Sequence, residues 1–312
     1  MSRPPFTVGL RSPRIVRVSA PPEGLLALPF FRMINSGVFI EENIRLKFVP
    51  WKNQEQLRAI VLSEKADFIG IHTVGAATMH NRGVPLKMLG LSLGNVLYVL
   101  TISSEIHQLS DLQGKTVAVP FKGELPDILF RSLIRKKSNI QIRYVATSQD
   151  GANLLAAGRV GAALVAEPHA SILLAKAGRN GIPKMFRSIN LQDAWNEIRG
   201  VKGPIPSAGV VAIGSSLLDK KFLERFWEEY ANAVNWCTEH PHEAAKLLES
   251  VGSEKGIEQS IVSSFTTPKT TRTTRATIED FLNLLQEANP KQFGKIIPSD
   301  EFYWSKPCDL AP

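Results

Sequence analysis

Short apolar runs alternate with longer stretches of helical spacing along most of this chain, and that rhythm predicts an α/β fold. Residues 15–19, 44–48, 68–71 and 86–91 read as strands, separated by helical patterns over 25–36, 53–63 and 73–81. Gly37 and the pair Arg82-Gly83 stand where left-handed caps close helices. A second unit with the same rhythm opens near Ser104, with strands at 116–119, 140–145 and 162–166 and helices at 126–135, 149–157 and 168–177. After Pro204 and Pro206 the pattern changes. A strand at 209–213 leads into a long amphipathic helix at 219–240, whose buried stripe is Phe222, Phe226, Tyr230, Val234 and Cys237. Further helices are expected at 242–250 and 278–288. Such a C-terminal helical block is expected to pack back on the first unit. The chain then forms two lobes, residues 1–98 with 208–312 and residues 99–207, joined by a two-strand hinge near 93–102 and 207–213 with a ligand cleft between the lobes.

The 312 residues are ample for two lobes, and 44% hydrophobic with 21% charged residues is the composition of an ordinary soluble globular protein. The longest apolar stretches, 24–31 and 96–102, are far shorter than the roughly 20 residues a membrane span needs. Residues 1–14 carry basic side chains and prolines without an apolar run, which is not an intact secretory signal. Either Met1 is the native start and the protein is cytoplasmic, or a leader has been removed. The net charge of +8 is concentrated in Arg135-Lys136-Lys137 and in 269–275. Neither cluster is interleaved with aromatics, so both read as solvated faces rather than a nucleic-acid surface. Two cysteines, Cys237 and Cys308, are too few for a disulfide framework or a thiolate metal site, and Cys237 reads as a small core residue.

Three motifs then stand in order. The first is Asp67-Phe68-Ile69-Gly70-Ile71 followed by Gly83-Val84-Pro85-Leu86-Lys87; the second is Asp111-Leu112-Gln113-Gly114-Lys115-Thr116-Val117-Ala118-Val119. The third runs from Gly158 through Ala162-Ala163-Leu164-Val165-Ala166 to Glu167-Pro168. Together they resemble the type II periplasmic solute-binding proteins of ABC importers, in the nitrate, sulfonate, taurine and thiamine-precursor group. Two positions depart from that pattern. Gly161 replaces a common Asp, and Lys122-Gly123-Glu124 replaces a Gly-Ser-Thr type anion turn, which argues against a simple oxyanion ligand. The resemblance implies a two-lobed receptor that captures a small polar or anionic organic molecule and delivers it to a membrane permease. It further implies a periplasmic or cell-surface monomer without cofactor, metal or nucleic-acid partner.

In open α/β sheets ligands lie beyond the carboxyl ends of the strands, which selects the loops to examine. Pro22, Glu23 and Gly24 follow the first strand and open a helix, where backbone N–H groups favour polar ligand atoms; the alternative is a plain turn. Trp51 offers an aromatic wall or a core ring, and so does Trp195. His72 is a ligand contact or a structural imidazole, and Thr73 can cap the next helix with its hydroxyl. Phe121, Lys122, Gly123 and Glu124 precede another helix; Phe121 and the backbone are favoured as cleft contacts, and Lys122 reads better as an exposed lysine. Glu167, Pro168 and His169 follow the strand at 162–166; Glu167 binds a ligand amine or anchors the following helix, His169 is a further candidate ligand contact, and Ser207 offers a hydroxyl at the second crossover. The basic net charge leans toward an organic anion, whereas Glu23, Glu124 and Glu167 also suit an amine or a polar heterocycle.

An enzyme is the competing class. The chain has no nucleophile elbow, phosphate loop, dinucleotide fingerprint or zinc-binding His-Glu-x-x-His motif. Its six histidines (His72, His80, His107, His169, His240 and His242) form no ligand spacing for a metal. The resemblance leaves one enzymatic alternative, a small-metabolite biosynthetic enzyme of the menaquinone-pathway or thiamine-pyrimidine type on the same fold.

Overall fold

The computed structural model describes residues 12–305 except 135–138, 180, 201–202, 289 and 291–294. The basic run Arg135-Lys136-Lys137 and Cys308 lie outside the described residues. The first sheet begins with β1 (Arg14–Ala20), β2 (Ile44–Pro50), β3 (Phe68–His72) and β4 (Leu86–Leu93), linked by α1 (Leu28–Ser36), α2 (Gln54–Leu62) and α3 (Thr73–Asn81). The chain then crosses to a second sheet of β5 (Leu97–Thr101), β6 (Thr116–Pro120), β7 (Gln141–Val145), β8 (Ala162–Ala166) and β9 (Phe186–Asn190). Helices α4 (Leu125–Leu133), α5 (Ser148–Ala156), α6 (His169–Lys176) and α7 (Leu191–Arg199) cover this second sheet. The return strand β10 (Ala208–Ile213) is followed by α8 (Lys220–Glu239), α9 (Pro241–Glu249), α10 (Glu258–Ser264), β11 (Phe265–Thr270) and α11 (Arg275–Ala288).

The first sheet has the order β11-β4-β10-β3-β1-β2 and the second β7-β6-β8-β5-β9. In the first, β1 runs parallel to β2 and β3, while β10 comes back antiparallel between β3 and β4. Every residue of β10 is buried, as expected of a central strand with helices on both faces. Two glycines permit its closest approach. A Cβ on Gly209 would collide with the carbonyl of Gly90 on β4, and one on Gly90 would collide with the Trp227 ring.

One apolar core lies between the first sheet and α1, α8 and α9, where Phe30, Phe68, Phe226 and Tyr230 are fully buried. Another fills the opposite face and continues without a break from Ile71 and Met88 in the first lobe to Val99, Ile128 and Leu129 in the second. A third lies under α5 and α6. Each large side chain buried in this way contributes roughly 1.5–3 kcal/mol.

The C-terminal block packs back on the first lobe through α8 and α9 against α1, and it also reaches across to the second. Phe281 of α11 meets Trp195 of α7 edge-on at 5.9 Å, which makes Trp195 a core ring rather than a cleft wall. Glu254, just before α10, pairs with Lys176 at the end of α6.

Four elements are not among the expected ones. β9 is a short mixed strand, α10 is short and serine-rich, and α7 is amphipathic, with Leu191 and Trp195 on its buried face, but falls in a stretch where no helix is expected. β11 contains Pro268, which cannot donate to a ladder and is confined to a sheet edge, where β11 indeed lies. The helix expected over 25–36 splits into a 3-10 turn at Leu25–Ala27 and α1, because Pro29 has no N–H to continue the first turn. The run 269–275 is only partly a solvated face. Lys269 and Arg272 are exposed, but Arg275 lies 2.8 Å from Glu279 and 2.7 Å from Asp300.

Candidate functional site

The carboxyl ends of β1, β2, β3 and β4 lie along one edge of the first sheet, together with the start of the antiparallel β10, whose Ala208 pairs with both His72 and Leu93. Both crossovers between the lobes, residues 94–96 and 203–207, meet this edge. Ser207 ties them together. Its N–H donates to Leu93 O at 3.2 Å, its hydroxyl to Gly94 O at 2.7 Å, and its carbonyl accepts the Thr73 N–H at 3.0 Å. The other crossover is held by the buried side chain of Gln192 in α7, which donates to Gly203 O at 2.7 Å and accepts from the Ile205 N–H. A Cβ on Gly94 would lie 2.6 Å from the Cβ of Pro204, so the two crossovers pack directly on each other. Ser207 therefore does its work as a hinge brace, and its hydroxyl proton is already bound by Gly94.

On the first lobe, Glu23 is exposed and Pro22 and Gly24 half-buried in the loop after β1. Gly24 keeps an extended backbone (φ −100) and its carbonyl accepts the N–H of Ala27 at 3.0 Å. Trp51 follows β2, is only 6% exposed, and its Nε1–H has no hydrogen-bond partner. His72 is exposed to solvent at the end of β3 yet closely surrounded by protein. Loss of hydration there holds its imidazole pKa below the ordinary value, against the opposing effect of a hydrogen bond with the Ser207 backbone. The expected hydroxyl cap by Thr73 does not form. The cap residue is His72, without a side-chain bond, and the Thr73 hydroxyl is buried and unpartnered. Thr73 is the first helical residue rather than the cap, and its main-chain N–H donates to Ser207 O.

On the second lobe, β6 ends in the tight turn of residues 121–124. Phe121 is 40% exposed and left-handed (φ 55), an unfavourable conformation for a side chain with a Cβ, and Gly123 is also left-handed (φ 83). The turn is fixed by Asp127, a buried residue of α4. Its Oδ2 accepts the Gly123 N–H at 2.7 Å, while Oδ1 accepts Arg131 Nε at 2.8 Å and the Tyr144 hydroxyl at 3.2 Å. Burial, and then the Asp127 charge, push the Tyr144 phenol pKa up, so it remains a donor. Lys122 is exposed, with its ammonium 5.0 Å from the Tyr144 ring, and Glu124 is an exposed N-terminal residue of α4 without a capping bond.

Glu167 lies where β8 gives way to α6, its N–H donating to Val96 O of the first crossover at 2.8 Å. Its carboxylate is fully occupied. Oε2 accepts the Ser171 N–H at 3.0 Å, and Oε1 accepts the Ser171 hydroxyl at 3.1 Å and Arg187 Nη2 at 2.7 Å. Of its two sequence readings the anchor is the one the geometry takes up. His169 opens α6 and is exposed.

The edges thus bring Trp51, His72 and Thr73 of one lobe, and Phe121, Lys122, Gly123 and Glu124 of the other, to the strand ends that flank the crossovers. Three residues that matter here gave no local signal. Asp127 falls within the expected helix 126–135 without any feature that singles it out, Arg187 lay in an unrecognised strand, and Asn95, whose Oδ1 is buried without a partner, sat in a crossover read as a strand. The cavity at the crossovers, lined by Gly94, Asn95, Leu125, Leu129 and Ser207, is only about 10 Å³. A cavity of about 710 Å³ lies along β9 and α7, with Gln259 and Ser263 of α10 on its wall. Among the described residues no group of acidic, histidine and cysteine side chains could hold a metal ion, and no helix is long and apolar enough to cross a membrane.

Comparison with known proteins agrees with this architecture. The NMT1/THI5-like family profile matches residues 28–244. The chain is similar in fold to an ABC transporter protein from Parabacteroides distasonis (TM-score 0.75, 19% identity, covering 94% of this chain and 99% of that one). It is also similar to the periplasmic aliphatic sulphonate binding protein SsuA from Escherichia coli (0.73, 14%, 94% and 93%). A third likeness is to the alkanesulfonate-binding protein SsuA from Xanthomonas axonopodis pv. citri bound to MOPS (0.61, 14%, 92% and 96%). These likenesses show a two-lobed periplasmic-binding-protein fold. No curated protein matches the chain by sequence.

Proposed function

The chain belongs to the NMT1/THI5-like family, and from that premise we propose that it is a solute receptor that captures a small polar organic molecule between its lobes for an ABC-type permease. The observation that carries this reading is that three of the seven buried side-chain atoms without partners among the described residues, Trp51 Nε1, Thr73 Oγ1 and Asn95 Oδ1, follow strand ends at the interlobe edge. Buried polar groups are nearly always hydrogen-bonded, so groups left open at one edge of a sheet suit a ligand that completes them. They follow β2, β3 and β4, the strand ends where such folds hold ligands. Thr73 and Asn95 are also neighbours of Ser207, the hinge brace, through the Thr73 N–H and the Gly94 carbonyl.

In this reading residues 1–98 with 208–312 and residues 99–207 move as two bodies about the crossovers. The solute binds the closed form better than the open one and so holds the cleft shut. Phe121 and Trp51 supply aromatic surface, His72 a neutral donor or acceptor, and the backbone around Gly24 and Gly123 close approach to the ligand. The permease partner, a monomeric state and an extracytoplasmic location follow from the same reading.

The test is native mass spectrometry of the purified chain, then thermal melts against a panel of metabolites. A solute at about a hundred times its Kd stabilises the fold by roughly 2.7 kcal/mol, enough to raise Tm by several degrees. A stoichiometric adduct recovered chemically unchanged is the expected result. Conversion of a panel compound to product would replace the receptor reading with an enzyme on this fold.

A further inference from the structure

The turn between β6 and α4 holds a shape that its own residues do not favour. Phe121 and Gly123 are both left-handed (φ 55 and φ 83), and of the two only glycine adopts that conformation without strain. One backbone bond closes the turn, from the Glu124 N–H to Phe121 O at 2.9 Å. Glu124 takes the cap position of α4 and makes no side-chain bond to the helix start. Backbone strain of this kind persists where the surroundings over-determine it, and it gathers at ligand clamps and switches.

The surroundings that do so here are the side chain of Asp127. An acid at the third helical position ordinarily accepts the N–H of the cap residue. Asp127 reaches one residue further, to the Gly123 N–H at 2.7 Å, and so holds the turn rather than the helix start. Its other oxygen is fixed from two directions, by Arg131 Nε one turn along α4 at 2.8 Å and by the Tyr144 hydroxyl of β7 at 3.2 Å. Arg131 supplies the counter-charge that a buried carboxylate needs, and Tyr144 ties it to the edge strand of the second sheet. A hydrogen bond to an ionised acceptor is roughly twice as strong as a neutral one, so the carboxylate holds the strained turn more firmly than an amide in its place. Lys122 ties the same turn to β7 a second time, its ammonium 5.0 Å from the Tyr144 ring.

Asp127 is only 1% exposed, whereas the Phe121 ring beside it is 40% exposed at the strand end that faces the first lobe. Resting on the receptor reading above, we propose that Asp127 is a positioning residue of the solute site: aimed by Tyr144 and Arg131, its carboxylate sets the turn that presents Phe121 and the Gly123 backbone, and so governs affinity without touching the solute.

Isothermal titration of the full chain, at a temperature where every variant is folded, tests this. The probes are aliphatic and heterocyclic sulfonates, carboxylates and amines, and those that bind the parent with Kd below about 1 mM are carried to the variants. Asp127→Asn should raise Kd roughly tenfold or more, and Tyr144→Phe, which keeps the ring and the net charge, about threefold or more. The Gly123 amide proton should exchange with solvent faster in both. Affinity is a property of the folded molecules, so a role in stability alone would lower the urea midpoint and leave Kd unchanged. A Kd within about twofold of the parent for either variant overturns the proposal and leaves the receptor reading standing. Should Asp127→Asn fail to fold, Tyr144→Phe decides the matter alone. If no probe binds the parent and native mass spectrometry shows no adduct on the purified chain, the receptor reading falls and this proposal with it.

Discussion

The Arg187 guanidinium lies 2.7 Å from the Glu167 carboxylate and 4.3 Å above the ring of Tyr98, so one cation joins β9, α6 and β5 at the corner beside the first crossover. The Glu167 side chain is fully buried and the Arg187 side chain 20% exposed. Removing one partner would strand the other charge in a poorly solvated place.

Glu167→Gln and Arg187→Met should therefore each destabilise the chain by roughly 3 kcal/mol, the low end for a broken buried pair because Arg187 keeps some contact with water. The double variant should lose clearly less than the sum of the two. Urea unfolding of the three variants checks this; additive losses would mean that the two groups act independently.

The unpartnered hydroxyl of Thr73 leads to the opposite kind of substitution. Thr73→Val keeps the shape and removes a buried group with no hydrogen bond, whose desolvation costs about 1–3 kcal/mol. The variant should be more stable than the parent by about 1 kcal/mol and bind the solute at least tenfold more weakly. A variant that is less stable and binds unchanged would place the hydroxyl in the fold rather than in the site.

Sequence pattern and structure agree best where a residue's role is local. The strand at 162–166 and the helix at 73–81 stand as their periodicity predicts. Gly37 caps α1 left-handed (φ 65) as expected, and Cys237 lies in the core, where burial pushes its thiol up to about 12. The strand ends proposed to hold the ligand were legible as strand ends for the same reason. The pattern failed where a residue's partner is distant in sequence. Nothing near Glu167 announces that Arg187 will neutralise it, and nothing near Gly123 distinguishes Asp127 from any helix-start acid. Thr73 shows a local error of one residue: the helix begins at Thr73 itself, so His72 takes the cap position and the hydroxyl is left inside the first turn. Hydrophobic period reports which face is buried; it carries no information on which polar groups meet there.

His72 should give the stability a pH dependence of known sign. Its ordinary pKa is near 6.5 and its folded value lies lower, chiefly through loss of hydration. Between those two values the unfolded chain binds a proton that the folded chain does not, so stability rises with pH across that window. The contribution is fully present above about pH 6.5 and is lost as pH falls through the window. Urea midpoints measured from pH 5 to 8 should climb more steeply for the parent than for His72→Gln. Parallel profiles would show that the imidazole is hydrated equally in both states.

Phe121 permits strain and binding to be measured apart. Its left-handed backbone costs about 1–2 kcal/mol for a residue with a Cβ, and the turn is held in place by the Asp127–Gly123 bond rather than by its own preference. Phe121→Ala and Phe121→Gly both remove the ring, but only glycine relieves the strain. Glycine also gives the unfolded chain more freedom, an opposing effect of roughly 0.5–1 kcal/mol. The glycine variant should therefore be more stable than the alanine variant by about 0.5–1 kcal/mol, while both lose the same aromatic contact and weaken solute binding equally. Equal stability of the two would mean that the turn relaxes without its ring. Unequal loss of affinity would assign Phe121 to shaping the turn rather than to touching the solute. Melting curves and titrations on the same two variants distinguish these cases, because strain acts on the free protein and the lost ring contact acts on the complex.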